Sequence, residues 1–94
     1  VANIASQKKR NRQNERRRLR NKSVRAEMRT RAKRALEAAA GGAPSEEQEE
    51  RLRRALKRID TAAAKGVIHR NQAARRKSRL MRAVARLSEG VEAG

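Results

Sequence analysis

The 94-residue chain has no cysteine and no phenylalanine, tyrosine or tryptophan, while histidine, aspartate and proline each occur once. Without thiols it can form neither disulfides nor cysteine-ligated zinc sites, a composition that suits a reducing cytoplasm. His69 and Asp60, each the sole residue of its type, cannot assemble a metal cluster or a nucleophile with its base. No enzyme and no cofactor is therefore expected. The lack of aromatics removes the stacking platforms with which many modules read single-stranded bases. No apolar run approaches the roughly 20 residues needed to cross a bilayer, and no signal-peptide core is present. A helix lying on a membrane surface would have an alanine-dominated face without Trp or Phe anchors, so no membrane partner is expected. Large aliphatic residues are scarce as well. Val, Ile and Leu supply 14 residues, below the share at which a highly charged chain is expected to fold alone.

What the chain has in excess is positive charge. Its 27 Lys and Arg stand against 10 Asp and Glu, giving +17 at neutral pH and a pI near 11.9. A monomer with this surplus repels itself, so its stable state includes an anionic partner. The charge is laid out in blocks. Residues 1–34 carry 14 cations and two acids, residues 35–50 five acids and no cation, and residues 65–87 eight cations and no acid. From Ala5 to Arg18 no large apolar residue occurs, so this arm has nothing to place in a core. It is expected to stay unstructured until bound.

Eighteen alanines favour helix and allow close helix packing. Hydrophobic spacing predicts helix one at about 6–40, helix two at about 46–65 and helix three at about 72–87. In helix one the stripe is Val24, Met28, Ala32, Ala35 or Leu36, and Ala39. In helix two it is Leu52, Leu56, Ile59 and Ala63. In helix three it is Ala74, Leu80 or Met81, Val84 and Leu87. Gly41-Gly42-Ala43-Pro44 breaks the chain, and Ser45 with Gln48 reads as a capping box at the head of helix two. The acidic Gly/Pro connection at 41–50 suits a helix start and should face away from phosphate. Gly66 reads as a stop with Val67 and Ile68 folding back, Asn71 as the cap of helix three, and Gly90 as its end. No segment alternates with period two. The expected fold is all-α: a single domain, 1–94, forming a three-helix bundle with a long, basic, projecting N-terminal helix.

Cations that cannot be buried bind phosphate and release counterions. Three basic surfaces stand out: the arm from Lys8 to Arg25, helix two with Arg51, Arg53, Arg54, Lys57 and Arg58, and the start of helix three. Basic surfaces on separate elements suit a folded RNA better than a straight duplex, recognised by shape and phosphate layout. A charged run is most often a solvated face, and for helix two that reading stands beside binding. A leucine zipper is disfavoured, because its heptads would stop at Gly41-Gly42. DNA compaction fits the charge equally.

The run from Lys65 to Leu80, KGVIHRNQAARRKSRL, resembles the signature of the bacterial small-subunit ribosomal protein S20 family. Ala2-Asn3-Ile4 and Arg17-Arg18-Leu19-Arg20-Asn21-Lys22-Ser23-Val24 resemble the opening and helix-one motifs of the same family, in the same order. The sequence departs at Ala5, where a basic residue is common, and in a Glu-rich Gly41–Glu50 connection. The resemblance implies a structural constituent of the small (30S) subunit that binds 16S rRNA directly. It implies bridging of rRNA helices of the 5′ domain and the 3′ minor domain during assembly, in the cytoplasm, with no homo-oligomer. The RNA contacts it implies on helix one are Lys8, Lys9, Arg10, Arg12, Arg16, Arg17, Arg18, Arg20, Asn21, Lys22, Ser23 and Arg25. In the signature they are Lys65, His69, Arg70, Asn71, Arg75, Arg76, Lys77, Ser78 and Arg79.

Overall fold

The computed structural model describes residues 2–93, with side-chain surroundings for residues 3–89. Three helices account for almost all of it: α1 (Ala2–Ala40), α2 (Ser45–Ala64) and α3 (Arg70–Ala93), with no strand among the described residues. The all-α bundle with a long basic first helix is thus the fold observed. The molecule measures 70 × 21 × 16 Å with a radius of gyration of 18.2 Å. A compact domain of this length would have a radius near 12 Å, and the excess comes from α1.

The core is one cluster drawn from all three helices and the segment before α3. Val24, Met28, Ala35 and Ala39 come from α1, Ala55, Ile59 and Ala62 from α2, Val67 and Ile68 from the connection, and Ala73, Leu80 and Val84 from α3. The α1 stripe falls where hydrophobic spacing placed it. In α2 the buried line runs through Ala55, Ile59 and Ala62, while Leu52, Leu56 and Ala63 are only partly buried beside it. The two fully buried positions, Ala55 and Ala62, are the smallest of the line, and the leucines flank it. In α3 the start of the buried line is displaced by one residue from the expected one, with Ala73 inside and Ala74 exposed. Met81 and Leu87 are surface residues.

α1 begins at Ala2, so the arm is helical. Every side chain from Asn3 to Arg20 is exposed, a rod of about 27 Å at 1.5 Å per residue. Propagating a helix outward from a packed nucleus adds one hydrogen bond per residue, whereas starting one in isolation is costly. The packed half of α1 supplies that nucleus.

Both turns close on glycine. Gly42 has φ 70° and Gly66 φ 76°, the left-handed region in which a Cβ is strained. At α2 the Val67 amide donates to the Ala62 carbonyl at 2.9 Å and the Gly66 amide to Ala63 at 3.0 Å. This pair defines a Schellman stop, and it turns Val67 and Ile68 into the core. Ala43 donating to Ala38 at 3.0 Å ends α1 in the same manner.

Other terminal expectations fail. Ser45 is the first residue of α2, not its cap; Pro44 holds the cap position and no side-chain cap bond forms. Gln48 instead donates its side-chain amide to the Ala43 carbonyl at 2.6 Å and accepts from Ser88 Oγ at 2.8 Å, tying the turn to α3. α3 runs through Gly90 to Ala93, since one glycine costs a helix only about 1 kcal/mol.

Gly66→Ala has room for its methyl group but forces a β-carbon into positive φ. It is expected to destabilise the bundle by about 1 kcal/mol, measured by chemical denaturation. Ile59→Ala, in the shared core, is expected to cost about 2–5 kcal/mol in the same assay.

Candidate nucleic-acid interface

Three stretches of surface concentrate cations. The first is the outer half of α1, where Asn14, Arg17, Arg18, Asn21, Lys22, Arg25 and Arg29 line a shallow groove along the rod. These residues recur at three- and four-residue spacing, so one helix face presents them together. Among the described residues Arg18 alone in this row has a carboxylate partner, Glu15 at 2.8 Å, an exposed contact that phosphate can displace.

The second stretch lies between α1 and α3. Arg29 and Lys33 from α1 face Arg75, Arg76 and Arg79 from α3, with His69, Asn71 and Gln72 at its mouth. Its floor is apolar, built from Met28, Ala32, Leu36, Ile59 and Leu80. Arg29 lines both this groove and the one along the rod. The two therefore form a single basic track from Asn14 to Arg79, assembled from segments far apart in sequence.

Two contacts fix the register of that track. Arg25 donates to the Val67 carbonyl at 3.3 Å, fastening the turn before α3 onto α1. His69 Nδ1 accepts the Asn71 amide at 3.1 Å. His69 is thus the cap of α3, and Asn71 lies inside the helix rather than capping it. In the neutral ring this leaves Nε2 as the protonated nitrogen, free to donate outward.

The remaining expected residues divide. Lys8, Lys9, Arg10, Arg12, Arg16 and Arg20 lie exposed on the rod, as do Lys22 and Ser23, while Asn21 is half-buried where the rod meets the bundle. Lys65, the C-cap of α2, and Arg70 are exposed beside the turn. Lys77 is turned toward α2, where it pairs with Asp60 at 2.7 Å, and Ser78 is half-buried next to it. The structure does not bring these two into the groove. Sequence reading passed over Arg29, Lys33 and Gln72. The first two sit one residue beyond Met28 and Ala32 in the apolar stripe, and a helical wheel places them on its α3 flank.

The third stretch joins α1 to α2 and carries Arg31, Arg34, Arg51, Arg54, Lys57 and Arg58. Here acids intervene: Glu27 pairs with Arg31 at 2.7 Å and Arg58 at 2.6 Å, and Glu47 with Arg51 at 2.7 Å. Glu50 is gripped by Arg53 and Arg54. The Arg53 hydrogen bond and charge, aided by Arg54, hold the Glu50 carboxyl below its usual range. Among the described residues no group of side chains could hold a metal ion, and no helix is long and apolar enough to cross a membrane.

The described residues thus form an all-helical protein whose cations are gathered along open grooves. Residues 2–85 match the family model of Ribosomal protein S20. The small ribosomal subunit protein bS20 of Mycobacterium ulcerans is 53% identical over 87 residues, covering 93% of this chain and 99% of the relative. That of Salinispora tropica is 52% identical over 88 residues, covering 94% and 99%. That of Mycobacterium tuberculosis is 51% identical over 87 residues, covering 93% and 100%. The chain belongs to the ribosomal protein S20 family, a family of structural ribosomal proteins and not of enzymes.

His69→Ala is expected to remove the α3 cap at a cost of about 1 kcal/mol and to speed hydrogen exchange at the Asn71 amide. Unchanged exchange there would contradict the capping role.

Proposed function

We propose that this protein is a structural constituent of the small (30S) ribosomal subunit that binds 16S rRNA directly, bridging helices of the 5′ domain and the 3′ minor domain during assembly. The observation that carries the reading is the continuous basic track from the rod through Arg29 into the α1–α3 groove. Membership of a ribosomal family and the small-subunit names of its relatives support RNA as the partner of that track. A row of guanidinium and ammonium groups along a rod follows a phosphate backbone, and the groove receives a second approach of RNA at an angle to it.

In this reading the residues have distinct roles. Lys8, Lys9, Arg10, Arg12, Arg16, Arg17, Arg18, Arg20, Lys22 and Arg25 neutralise phosphates along the rod, with Asn21 and Ser23 adding hydrogen bonds. Arg75, Arg76 and Arg79, with Lys65, Arg70 and Asn71, hold the backbone that enters the groove. His69 offers Nε2 to the same strand. Lys77 and Ser78 act through the packing of α3 on α2. Arg can also stack on an exposed base, but without aromatics the recognition rests on RNA shape.

The protein is expected to bind a folded 16S rRNA domain more tightly than an unrelated duplex of equal length at moderate salt. Equal affinities would favour a general DNA- or RNA-coating role instead. Arg17→Ala combined with Arg18→Ala is expected to weaken rRNA binding about tenfold and to flatten the salt dependence by between one and two units of log–log slope. Helicity by circular dichroism should stay nearly unchanged. A large loss of helicity with affinity intact would refute the assignment of the rod.

A further inference from the structure

The α1–α2 cleft is not part of the track just described. At 100° per residue, Arg29 and Lys33 flank one side of the α1 apolar stripe, and Arg31 and Arg34 the other. The two basic surfaces therefore open on opposite flanks of the bundle, separated by the core. Six cations line the cleft, from both helices, against three carboxylates, Glu27, Glu47 and Glu50, that pair with four of them. Arg34 and Lys57 have no carboxylate partner among the described residues, although each lies within a helical turn or two of an acid. The Nε of Arg58 is buried and also lacks an acceptor. A bundle that needed these charges only for solubility would not gather them in one concavity with an unsatisfied donor. Like charges held this close raise the free energy of the empty cleft, and an anion that bridges them lowers it.

We infer that this cleft is a second, independent phosphate-binding site that seats an RNA backbone on the flank opposite the track. Arg34 and Lys57 take phosphate directly, and Arg31, Arg51, Arg54 and Arg58 are oriented by their carboxylates to complete the cradle. The protein then works as a two-sided cleat, with the alanine-lined core setting the distance between two RNA segments. The inference rests on the reading that the protein holds rRNA, and names the surface that would take the second segment.

The test uses the full chain and the Arg34→Gln/Lys57→Gln double variant. Both positions are exposed and neither forms an ion pair among the described residues, so the fold should survive, which circular dichroism checks. Stoichiometry is measured at low salt with an RNA duplex of about 20 base pairs, and affinity at moderate salt with 16S rRNA. The wild type is expected to hold two duplexes per molecule and the variant one, with the first duplex bound within about twofold of the wild type. For 16S rRNA the variant is expected to bind about tenfold more weakly, with a log–log salt slope shallower by about 1.4–1.8 for two lost phosphate contacts. A wild type that holds only one duplex, or a variant that still holds two or matches the wild type on 16S rRNA, overturns the second site. Those results leave the proposed function standing. A wild type with no preference for 16S rRNA overturns that function instead.

Discussion

The fold depends on helices that meet through alanine. Ala39, Ala55 and Ala62 have no exposed surface and Ala35 almost none. With no atom beyond Cβ at these points, the helix backbones approach closely and gain dispersion contact along their length. That is how a chain with 14 branched aliphatics and no aromatic closes a core around Met28, Ile59, Leu80 and Val84. The close seam also has an electrostatic consequence. It leaves no room for a long cation, and no polar or charged residue is buried among those described. The surplus of +17 must therefore lie on the surface, and the seam decides where.

Carboxylates then determine which of those charges stay available. Glu27 joins α1 to α2 through Arg58, and Asp60 joins α2 to α3 through Lys77. Glu47 and Glu50 pair with arginines in the first turns of α2, close to the positive end of its dipole. Exposed pairs of this kind are worth at most about 1 kcal/mol each, so their effect on stability is small. Their effect on surface potential is larger. Acid is concentrated on α2 and its leading turn, and the rod and the α1–α3 groove keep their charge almost uncompensated.

Much of this was legible in the residues. The three helices, the stripe on α1, the stop at Gly66 and the concentration of cations in the rod and signature all follow from spacing and composition. The family motif spans the turn that Arg25 and His69 hold in place. The misreadings have physical causes. Spacing rules weight large side chains, so they centred α2 on Leu52 and Leu56, whereas its fully buried positions include Ala55 and Ala62. In α3 the adjacent Ala73 and Ala74 differ by about 100° around the helix, and composition does not distinguish them. The caps failed for a related reason. Ser45 and Asn71 have the right chemistry, but the backbone enters its helical turn at Ser45 and Arg70, earlier in both cases than composition suggests. Lys77 was grouped with its arginine neighbours, yet its position on the helix turns it to Asp60.

The sequence by itself determined that the chain is helical, that it carries far more positive charge than it can bury, and that the stretch from Ala5 to Arg18 has no core to join. These are local or additive properties: propensity, net charge and hydrophobic content do not depend on where the chain folds. The tertiary structure alone decided which cations act together. Arg29 and Arg75 line one groove and Arg34 and Lys57 another only because of how the three helices are rotated against one another, and that rotation depends on packing between residues far apart in sequence, which no count along the chain can supply.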